Sequence, residues 1–328
     1  MMNLSKGLFF KLLGLLAIAN LLTACTAGQS TSDGQQEPLR VEYTLWWGDY
    51  SILVAQELGL FEKYGVTVEP VFYESYADSY SDLAARIIDG GLLSLDSAIN
   101  TNDKSALKAV AMYDDGGLYY LIGEAATKNI SDLKGKVIGL EIGTSAELIL
   151  REALQQNGLS ISDVTLVDVP VETISENLGT TIDAGIVWEP YASKIRAKGG
   201  NTLFELGGTK TIVPNLIVFN SDSLEKRPED VRAFLKAWFE AVDFRIADPQ
   251  KANQIIATKT GLSIDEITVD SQIYTLQENI VLLSDQTPEN MINLTTAFNT
   301  NADFLLALGV LRNQPDINQF IDSSFLFQ

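Results

Sequence analysis

The sequence predicts an α/β protein in which two lobes face each other across a cleft. Short apolar strands alternate with helical segments over residues 39–120, and the same alternation begins again after residue 120. Such alternation is typical of parallel strands in α/β sheets. From Pro228 onward the pattern becomes helical. Two crossings between the α/β segments would leave a cleft between them.

The first α/β segment opens with alternating apolar and polar residues at 41–46, which predict a strand. Ser51 is a candidate N-cap for a helix whose apolar residues recur at helical spacing. Further strands are predicted at 66–73, 92–95, 106–112 and 118–123, with a helix at 78–88. We therefore expect the first lobe to span residues 39–120.

The second α/β segment contains predicted strands at 137–140, 164–169, 182–188, 201–206 and 215–219, and helices at 146–156 and 172–177. We expect this lobe to span residues 121–218. Residues 219–328 are then the return to the first lobe with C-terminal helices. Pro228 suits the first turn of the leading helix, and acids follow it, as the helix dipole favours.

The N-terminal segment carries the features of a removed export signal. Lys6 and Lys11 precede an apolar run at 12–22, which is shorter than the roughly 20 residues that span a bilayer. The run ends at Cys25, the single cysteine of the chain. Residues 22–25 resemble the lipobox of bacterial lipoproteins. We expect a signal at 1–24, lipidation of Cys25, and a flexible polar tether at 25–38, although a plain secreted protein or an uncleaved anchor remains open.

Composition excludes several classes of function. The net charge is −20, so neither nucleic acid nor an anionic lipid surface is an expected partner. The chain has no histidine, and Cys25 is assigned to lipid, so Ser-His-Asp and Cys-His catalysis and typical zinc sites are excluded. We expect no metal and no cofactor. Enzyme chemistry based on a pair of carboxylates or on a Ser-Lys pair remains formally open.

Four stretches, in order, resemble one family. Residues 55–66 (AQELGLFEKYGV), 132–139 (DLKGKVIG), Gly143-Thr144-Ser145 before a helix, and 183–191 (DAGIVWEPY) are similar to segments of solute-binding proteins of ABC importers. The family covers sulfonates, taurine, nitrate and pyrimidine precursors of thiamine. The likeness extends from about Leu39 to Lys259.

The resemblance implies a type II periplasmic-binding fold that closes around one small molecule and then docks on a membrane permease. It implies an extracytoplasmic monomer, here lipid-anchored, and no enzyme activity. The family also includes a pyrimidine-forming enzyme that uses histidine and a cysteine-rich segment, neither of which this chain has. A solute-sensing module for a membrane receptor is the main alternative, since its binding chemistry would be identical.

Candidate ligand contacts follow the strands, because ligands of open α/β sheets bind beyond the carboxyl ends of strands. The tryptophans offer flat walls for stacking, and the helix start at 143–145 offers free N–H groups to an anion. Each has a structural alternative, as core side chains or as simple caps. The candidates are Trp46, Trp47, Asp49, Tyr50, Tyr73, Glu74, Ser75, Ser94, Tyr113, Asp114, Gly143, Thr144, Ser145, Trp188, Glu189, Tyr191 and Asn215.

The charge of these loops bears on the ligand. Asp49, Glu74, Asp114 and Glu189 all follow predicted strands, whereas no lysine or arginine occurs in the same loops. This balance favours a ligand with N–H donors or a positive amine, such as an aminopyrimidine-like or cationic solute, over a strongly anionic one. The alternative is that most of these acids are solvated surface residues.

Overall fold

Two five-stranded sheets form the framework of the protein. The structure is a computed structural model that describes residues 37–207, 213–267, 271–283 and 291–327. The predicted signal, Cys25 and nearly all of the tether lie outside the described residues. The strands are β1 Leu39–Tyr43, β2 Val68–Phe72, β3 Gly90–Ser94, β4 Leu107–Asp114, β5 Leu118–Gly123, β6 Val137–Leu140, β7 Thr165–Asp168, β8 Ala184–Val187, β9 Asn201–Gly207 and β10 Asn215–Asn220.

The strand order defines two lobes of related topology. The first sheet has the order β2-β1-β3-β10-β4, and the second has the order β7-β6-β8-β5-β9. In the first sheet β10 runs antiparallel to β3 and β4, and in the second β5 runs antiparallel to β8 and β9. Each antiparallel strand is the first one after the chain crosses between the lobes. Strand β1 pairs with β2 and β3, and β6 pairs with β7 and β8. All four of these pairs are parallel, as the alternating pattern predicts.

Helices cover the sheets and complete the C-terminal region. They are α1 Ser51–Glu57, α2 Leu60–Lys63, α3 Tyr76–Ala84, α4 Leu95–Ser105, α5 Ser145–Gln156, α6 Val171–Asn177, α7 Tyr191–Ala197, α8 Ser221–Lys226, α9 Pro228–Ala247, α10 Pro249–Thr260, α11 Leu276–Leu282, α12 Leu294–Ala307 and α13 Ile317–Phe320.

Helix α9 joins the C-terminal region to the first lobe. Its Phe234 stacks on Phe61 of α2, with ring centroids 5.8 Å apart, and its Trp238 meets Tyr113 of β4 edge to face. All four side chains are buried. Aromatic pairs of this kind add about 1 kcal/mol each to the area they bury. The long helix is thereby fixed against the back of the first sheet.

The structure differs from the sequence-based expectations at several places. Strand β1 ends at Tyr43 rather than at residue 46, because the chain bends at Leu45 and turns at Trp47. Helices α4, α7, α8, α11 and α13 were not predicted. The chain enters the second sheet between Asp114 and Leu118 and returns before Asn215. Strand β5, predicted in the first α/β segment, therefore belongs to the second sheet, and β10, expected in the second lobe, belongs to the first. The exact lobe boundaries beyond these sheet changes stay a prediction.

None of the helices in the described residues combines the length and the apolar content that crossing a bilayer requires.

Candidate functional site

A cavity lies where the carboxyl ends of strands from both sheets meet. The turn after β1, the start of α4 after β3, and the end of β4 contribute from the first lobe. The turns after β6 and β8 contribute from the second. We call this space, with a volume of about 40 Å³, the inner cavity. It adjoins a wider space of about 250 Å³, the vestibule, which shares Tyr80, Asp96, Ser97, Glu141 and Thr144 with it.

About half of the predicted contact residues line the inner cavity, and the rest lie elsewhere. Those that line it are Trp46, Asp49, Ser94, Tyr113, Thr144, Ser145, Trp188 and Asn215. Those outside it are Trp47, Tyr50, Tyr73, Glu74, Ser75, Asp114, Gly143, Glu189 and Tyr191, although Gly143 lines the vestibule. Sequence reasoning missed Thr44, Tyr76, Tyr80, Leu92, Asp96, Ser97, Tyr119 and Glu141.

The turn after β1 is held in place by Arg245 of α9. The Nη1 of this buried guanidinium donates to the carbonyl of Gly48 at 3.1 Å and to Ser51 Oγ at 2.7 Å, and its Nη2 donates to the carbonyl of Trp47 at 2.7 Å. The guanidinium also lies 4.1 Å from the centroid of the Trp47 ring. Trp47 therefore belongs to the packed interior.

Asp49 is a structural carboxylate rather than an open one. Its Oδ2 accepts the backbone N–H and the hydroxyl of Thr44, both at 2.8 Å, and its Oδ1 accepts the Tyr113 hydroxyl at 2.7 Å. Burial raises the pKa of Asp49 to about 7, while these hydrogen bonds and the charge of Arg245 oppose the rise. Both carboxylate oxygens of Asp49 thus already accept hydrogen bonds from the chain itself.

Asp114 occupies the end of β4 and ties three segments together. Its Oδ2 accepts the Trp46 indole N–H at 2.5 Å, and its Oδ1 accepts the Gly116 N–H and the Asn215 amide at 2.8 Å each. Gly48 lies so close that a Cβ there would come within 1.9 Å of Asp114 Oδ2. The backbone approach explains why glycine stands at this position. Asp114 thus holds Trp46 and Asn215 in position in the wall of the inner cavity, although it does not line the cavity itself.

An aromatic group forms the wall of the second lobe. The Trp188 ring meets Tyr119 at 5.5 Å between centroids and Tyr76 of the first lobe at 5.6 Å, both edge to face. Its indole N–H also donates to the Tyr76 hydroxyl at 3.2 Å. Tyr191 packs behind Trp188 with centroids 6.5 Å apart. The Trp188–Tyr76 contact bridges the two lobes.

Asp96 makes the second bridge between the lobes. It lies in the first turn of α4, is 2% exposed, and accepts the backbone N–H of Ser145, the first residue of α5, at 2.7 Å through Oδ2. A carboxylate at a helix N-terminus is stabilised by the free N–H groups and the dipole there. Asp96 Oδ1 is buried and makes no hydrogen bond with any residue of the described ranges.

Glu141 follows β6 and lines both the inner cavity and the vestibule. Burial, together with the nearby carboxylates of Glu172, Asp96 and Asp168, raises its pKa to about 7. The vestibule is also lined by Asp168, whose Oδ1 accepts the Ile142 N–H at 3.1 Å. Acidic groups therefore gather on the second-lobe side of the entrance.

The remaining candidates outside the inner cavity have roles within their own lobes. Glu189 accepts the Ser193 N–H at 3.0 Å and pairs with Arg196. Tyr73 donates to Asp82 at 2.6 Å, and Ser75 caps α3 by accepting the Asp78 N–H at 3.3 Å. Glu74 is exposed, and Tyr50 is buried against Trp47.

The missed residues divide by whether the sequence carried a signal for them. Glu141 directly follows a correctly predicted strand, and Tyr76 and Tyr80 share one helix face at a spacing of four, so a wider search around strand ends would have included them. Asp96 and Ser97 directly follow the predicted strand at 92–95, so the same search would have included them although α4 was not predicted, whereas Tyr119 lies inside β5 and carries no strand-end signal. Among the described residues, no three side chains of the metal-binding types His, Cys, Asp and Glu come together as a candidate metal site.

Comparison with solved structures identifies the class of protein. The alkanesulfonate-binding protein SsuA from Xanthomonas axonopodis pv. citri superposes with a TM-score of 0.71 and 18% sequence identity, covering 87% of this chain and 98% of that one. The chain therefore has the two-lobed α/β fold of periplasmic binding proteins, with the cleft between its lobes, and the predicted fold class is confirmed.

Comparison with families and curated proteins adds the relationship by sequence. A family model described as NMT1/THI5 like matches residues 50–252, and the chain belongs to this family. A putative binding protein of Brucella abortus is 27% identical over 292 residues, which are 85% of this chain and 88% of that protein. A putative aliphatic sulfonates-binding protein of Bacillus subtilis is 25% identical over an alignment 336 positions long, which covers 98% of this chain and 96% of that protein.

An enzyme also occurs among the relatives. The 4-amino-5-hydroxymethyl-2-methylpyrimidine phosphate synthase THI11 of Saccharomyces cerevisiae is 26% identical over 219 residues, 61% of this chain and 64% of that protein. The relatives of this chain thus include both binding proteins and a synthase.

Proposed function

We propose that the protein is the extracytoplasmic solute-binding component of an ABC importer. It captures a small organic solute in the inner cavity by closure of its two lobes and does not alter the solute. The observation that carries this proposal is the inner cavity itself, walled by aromatic and polar side chains from both lobes at the carboxyl ends of their strands. The names of the bacterial relatives agree with it.

The proposed mechanism is hinge closure. One of the two connections between the lobes is the short segment between β4 and β5, where Asp115 Oδ1 accepts the Gly117 N–H and the Gln272 N–H at 3.0 Å each. Contacts that cross the cleft include the Asp96–Ser145 hydrogen bond, the Trp188–Tyr76 pair, and a hydrogen bond from the Tyr76 backbone N–H to the Glu172 carboxylate. A ligand that touches both lobes adds to these contacts only in the closed form, so its binding favours closure. The permease then recognises the closed surface.

The ligand contacts that we propose combine predicted and additional residues. Trp46, Trp188, Tyr76 and Tyr119 supply flat apolar walls, while hydroxyl and carboxyl groups around them orient polar atoms of the solute. Asn215 and Ser94 line the floor on the first-lobe side. Asp49 and Tyr113, which bond to each other, act through the shape of the wall.

We further propose attachment to the membrane through lipid on Cys25, with the polar residues 26–38 as the tether. Two or more acyl chains on one cysteine would hold the protein firmly, since one chain binds only marginally. Replacing this residue in the full chain, as Cys25→Ala, should release the protein from the membrane fraction of an expressing bacterium. A variant that stays in the membrane fraction and still incorporates labelled palmitate would contradict the lipid assignment.

The binding function is tested with the purified full chain. Native mass spectrometry should detect one co-purified or added small molecule per monomer, and X-ray scattering should show a more compact protein when the solute is bound. Recovery of the solute unchanged after prolonged incubation is expected. Chemical turnover of the bound compound, or a scattering curve that is identical with and without it, would overturn the proposal.

A further inference from the structure

We propose that Asp96 makes the inner cavity selective for a small solute bearing a positively charged N–H group, because Asp96 occupies the helix end where an anion would otherwise bind. This inference rests on the proposed solute-binding function and names its ligand class. It runs against a sulfonate or nitrate as the ligand of this chain.

The first observation is that the N-terminus of α5 is already occupied. A helix of 12 residues facing a cleft offers free N–H groups and the positive end of its dipole to an anion. Here Asp96 Oδ2 takes the Ser145 N–H at 2.7 Å, Thr144 Oγ1 takes the Ala146 N–H at 3.2 Å, and Glu147 takes the Gly143 N–H at 3.0 Å. The donors that an anionic ligand would use are therefore satisfied by the chain's own oxygens.

The second observation is the unused acceptor on the same carboxylate. Asp96 is almost fully buried and lines the inner cavity, yet its Oδ1 accepts no hydrogen bond from the described part of the chain. A buried acceptor without a donor is costly, and the cost is relieved when a donor arrives. A ligand N–H supplies that donor, and a positive charge on it makes the hydrogen bond stronger.

The third observation is the charge of the surrounding surface. Carboxylates line the inner cavity and the vestibule at Asp49, Asp96, Glu141 and Asp168, whereas no lysine or arginine of the described ranges lines either space. The charge of Asp49 is opposed by Arg245 behind it, and Arg151 pairs with Glu147. Within the parts of the chain that the structure describes, Asp96, Glu141 and Asp168 form no ion pair. Asp96 and Asp168, together with Glu141 where it is ionised, make the entrance negative, which attracts cations and repels anions.

The walls and the size of the inner cavity fit the same ligand. The rings of Trp188, Tyr76 and Tyr119 lie around the space, and aromatic faces attract ammonium and guanidinium groups. A volume of about 40 Å³ holds only a few water-sized groups. We therefore expect the charged head group to bind in the inner cavity, and the rest of the solute to extend into the vestibule.

The test measures charge selectivity in the full chain and in two variants. Thermal shift screening followed by calorimetry compares small primary amines and amidines with propanesulfonate and nitrate. The wild type should bind members of the cationic group and not the anions. Asp96→Asn keeps a carbonyl oxygen for the Ser145 N–H but loses the charge, so cation affinity should fall about ten- to hundredfold. Asp103→Asn, an exposed change of equal charge on the same helix, should bind as the wild type does.

The outcomes separate this inference from the proposed function. Tight binding of propanesulfonate or nitrate by the wild type, with closure in scattering, would overturn the ligand class while the solute-binding function stands. Unchanged cation affinity in a folded Asp96→Asn protein would overturn the role of Asp96. Failure of every native and added solute to bind or to compact the protein would overturn the proposed function itself, and this inference with it.

Discussion

Acidic residues are in opposite states in two regions of the cleft, the first-lobe wall and the junction between the lobes. In the wall, Asp49 and Asp114 follow or end first-lobe strands, and each accepts three hydrogen bonds from its own chain. At the junction stand Asp96 of the first lobe and Glu141 of the second, and Asp96 retains a buried oxygen that accepts no hydrogen bond from the described residues. Both pairs come at strand ends, and the sequence pattern alone does not distinguish them.

The difference teaches which acids build the site and which remain available to a ligand. A carboxylate whose lone pairs are filled by backbone, indole and hydroxyl donors is a rigid part of the wall. A buried carboxylate oxygen that accepts no hydrogen bond carries a desolvation cost. A hydrogen bond from a ligand or a water, or protonation of the carboxylate, relieves that cost. Variants of the first-lobe wall and of the lobe junction separate these two roles.

The largest loss of stability is expected from replacing Arg245, whose buried guanidinium holds the turn that carries Asp49. Arg245→Met keeps much of the side-chain volume but leaves the carbonyls of Trp47 and Gly48 without their donor, and Asp49 without its compensating charge. Breaking a buried charge network of this kind costs about 3–5 kcal/mol. Urea unfolding at neutral pH should show this loss in the free energy of unfolding.

Arg232→Met on the same helix is the matched control. Arg232 forms an ion pair with the exposed Glu229, at 2.8 Å, and lies 4.9 Å from the centroid of the Phe325 ring, so its replacement should cost about 1 kcal/mol, well below the loss at Arg245. An Arg245→Met protein as stable as the Arg232→Met protein would show that the turn after β1 does not depend on the buried guanidinium.

A somewhat smaller loss is expected from Gly48→Ala. The new Cβ would come within 1.9 Å of Asp114 Oδ2 and 2.6 Å of the Tyr113 ring, so the wall must shift, at a cost of about 3 kcal/mol and with weaker ligand binding. Gly65→Ala is the comparison, because Gly65 has open space around it but a φ of +78°. Its backbone strain should cost about 1 kcal/mol. An equal loss in both variants would exclude crowding as the cause.

The fold could be predicted from the sequence because its signals are local. Strands such as Val137–Leu140 are short apolar runs that need no tertiary information to recognise. Helix α4 escaped because its sequence, LDSAINTNDKS, is rich in residues with low helix propensity. The buried Leu95, Ala98 and Ile99 stabilise it by packing in the first-lobe core, which the local pattern does not reveal.

The site was less predictable for the same reason. Rules about strand ends directed attention to Trp46 and Trp188, and the return crossing between the lobes directed it to Asn215. All three residues line the inner cavity. Whether an acid at such an end is saturated depends on donors far away in sequence, such as Asn215 for Asp114. Asp96 directly follows the predicted strand at 92–95, yet the local sequence does not show that the turn into α4 buries it against the start of α5. Pairing of polar groups is a tertiary property, and the local sequence does not encode it.

A moderate effect is expected from pH through Glu141. Its pKa in the folded protein, about 7, lies above the ordinary value of 4.5, chiefly through burial. The folded state therefore favours the protonated form, so the contribution to stability is full below pH 4.5 and is lost as pH rises to 7. Because burial raises the pKa of Asp49 and Glu42 as well, the unliganded protein should be more stable at pH 5 than at pH 8.

Glu141→Gln isolates the contribution of this residue. The variant should remove about 2 kcal/mol of the stability difference between pH 5 and pH 8, measured by urea unfolding at both values. The exposed Glu152→Gln on α5 is the reference for loss of a negative charge. A cationic ligand should also bind the wild type more tightly at pH 8 than at pH 5, with less of this dependence in Glu141→Gln. Equal pH dependence in both variants would exclude Glu141 as its source.

The smallest effect is expected at the contact that spans the two sides. Tyr76→Phe removes the oxygen that accepts the Trp188 indole N–H at 3.2 Å, while the edge-to-face ring contact remains. One such hydrogen bond is worth about 1 kcal/mol, so the ratio of closed to open protein should fall about fivefold. Tyr73→Phe is the control, because its hydroxyl donates to Asp82 within the first lobe. Distance measurements between labels on the two lobes should show a shift only in Tyr76→Phe. The same opening in both variants would mean that closure responds to the loss of any first-lobe tyrosine hydroxyl, and that the hydrogen bond across the cleft contributes nothing of its own.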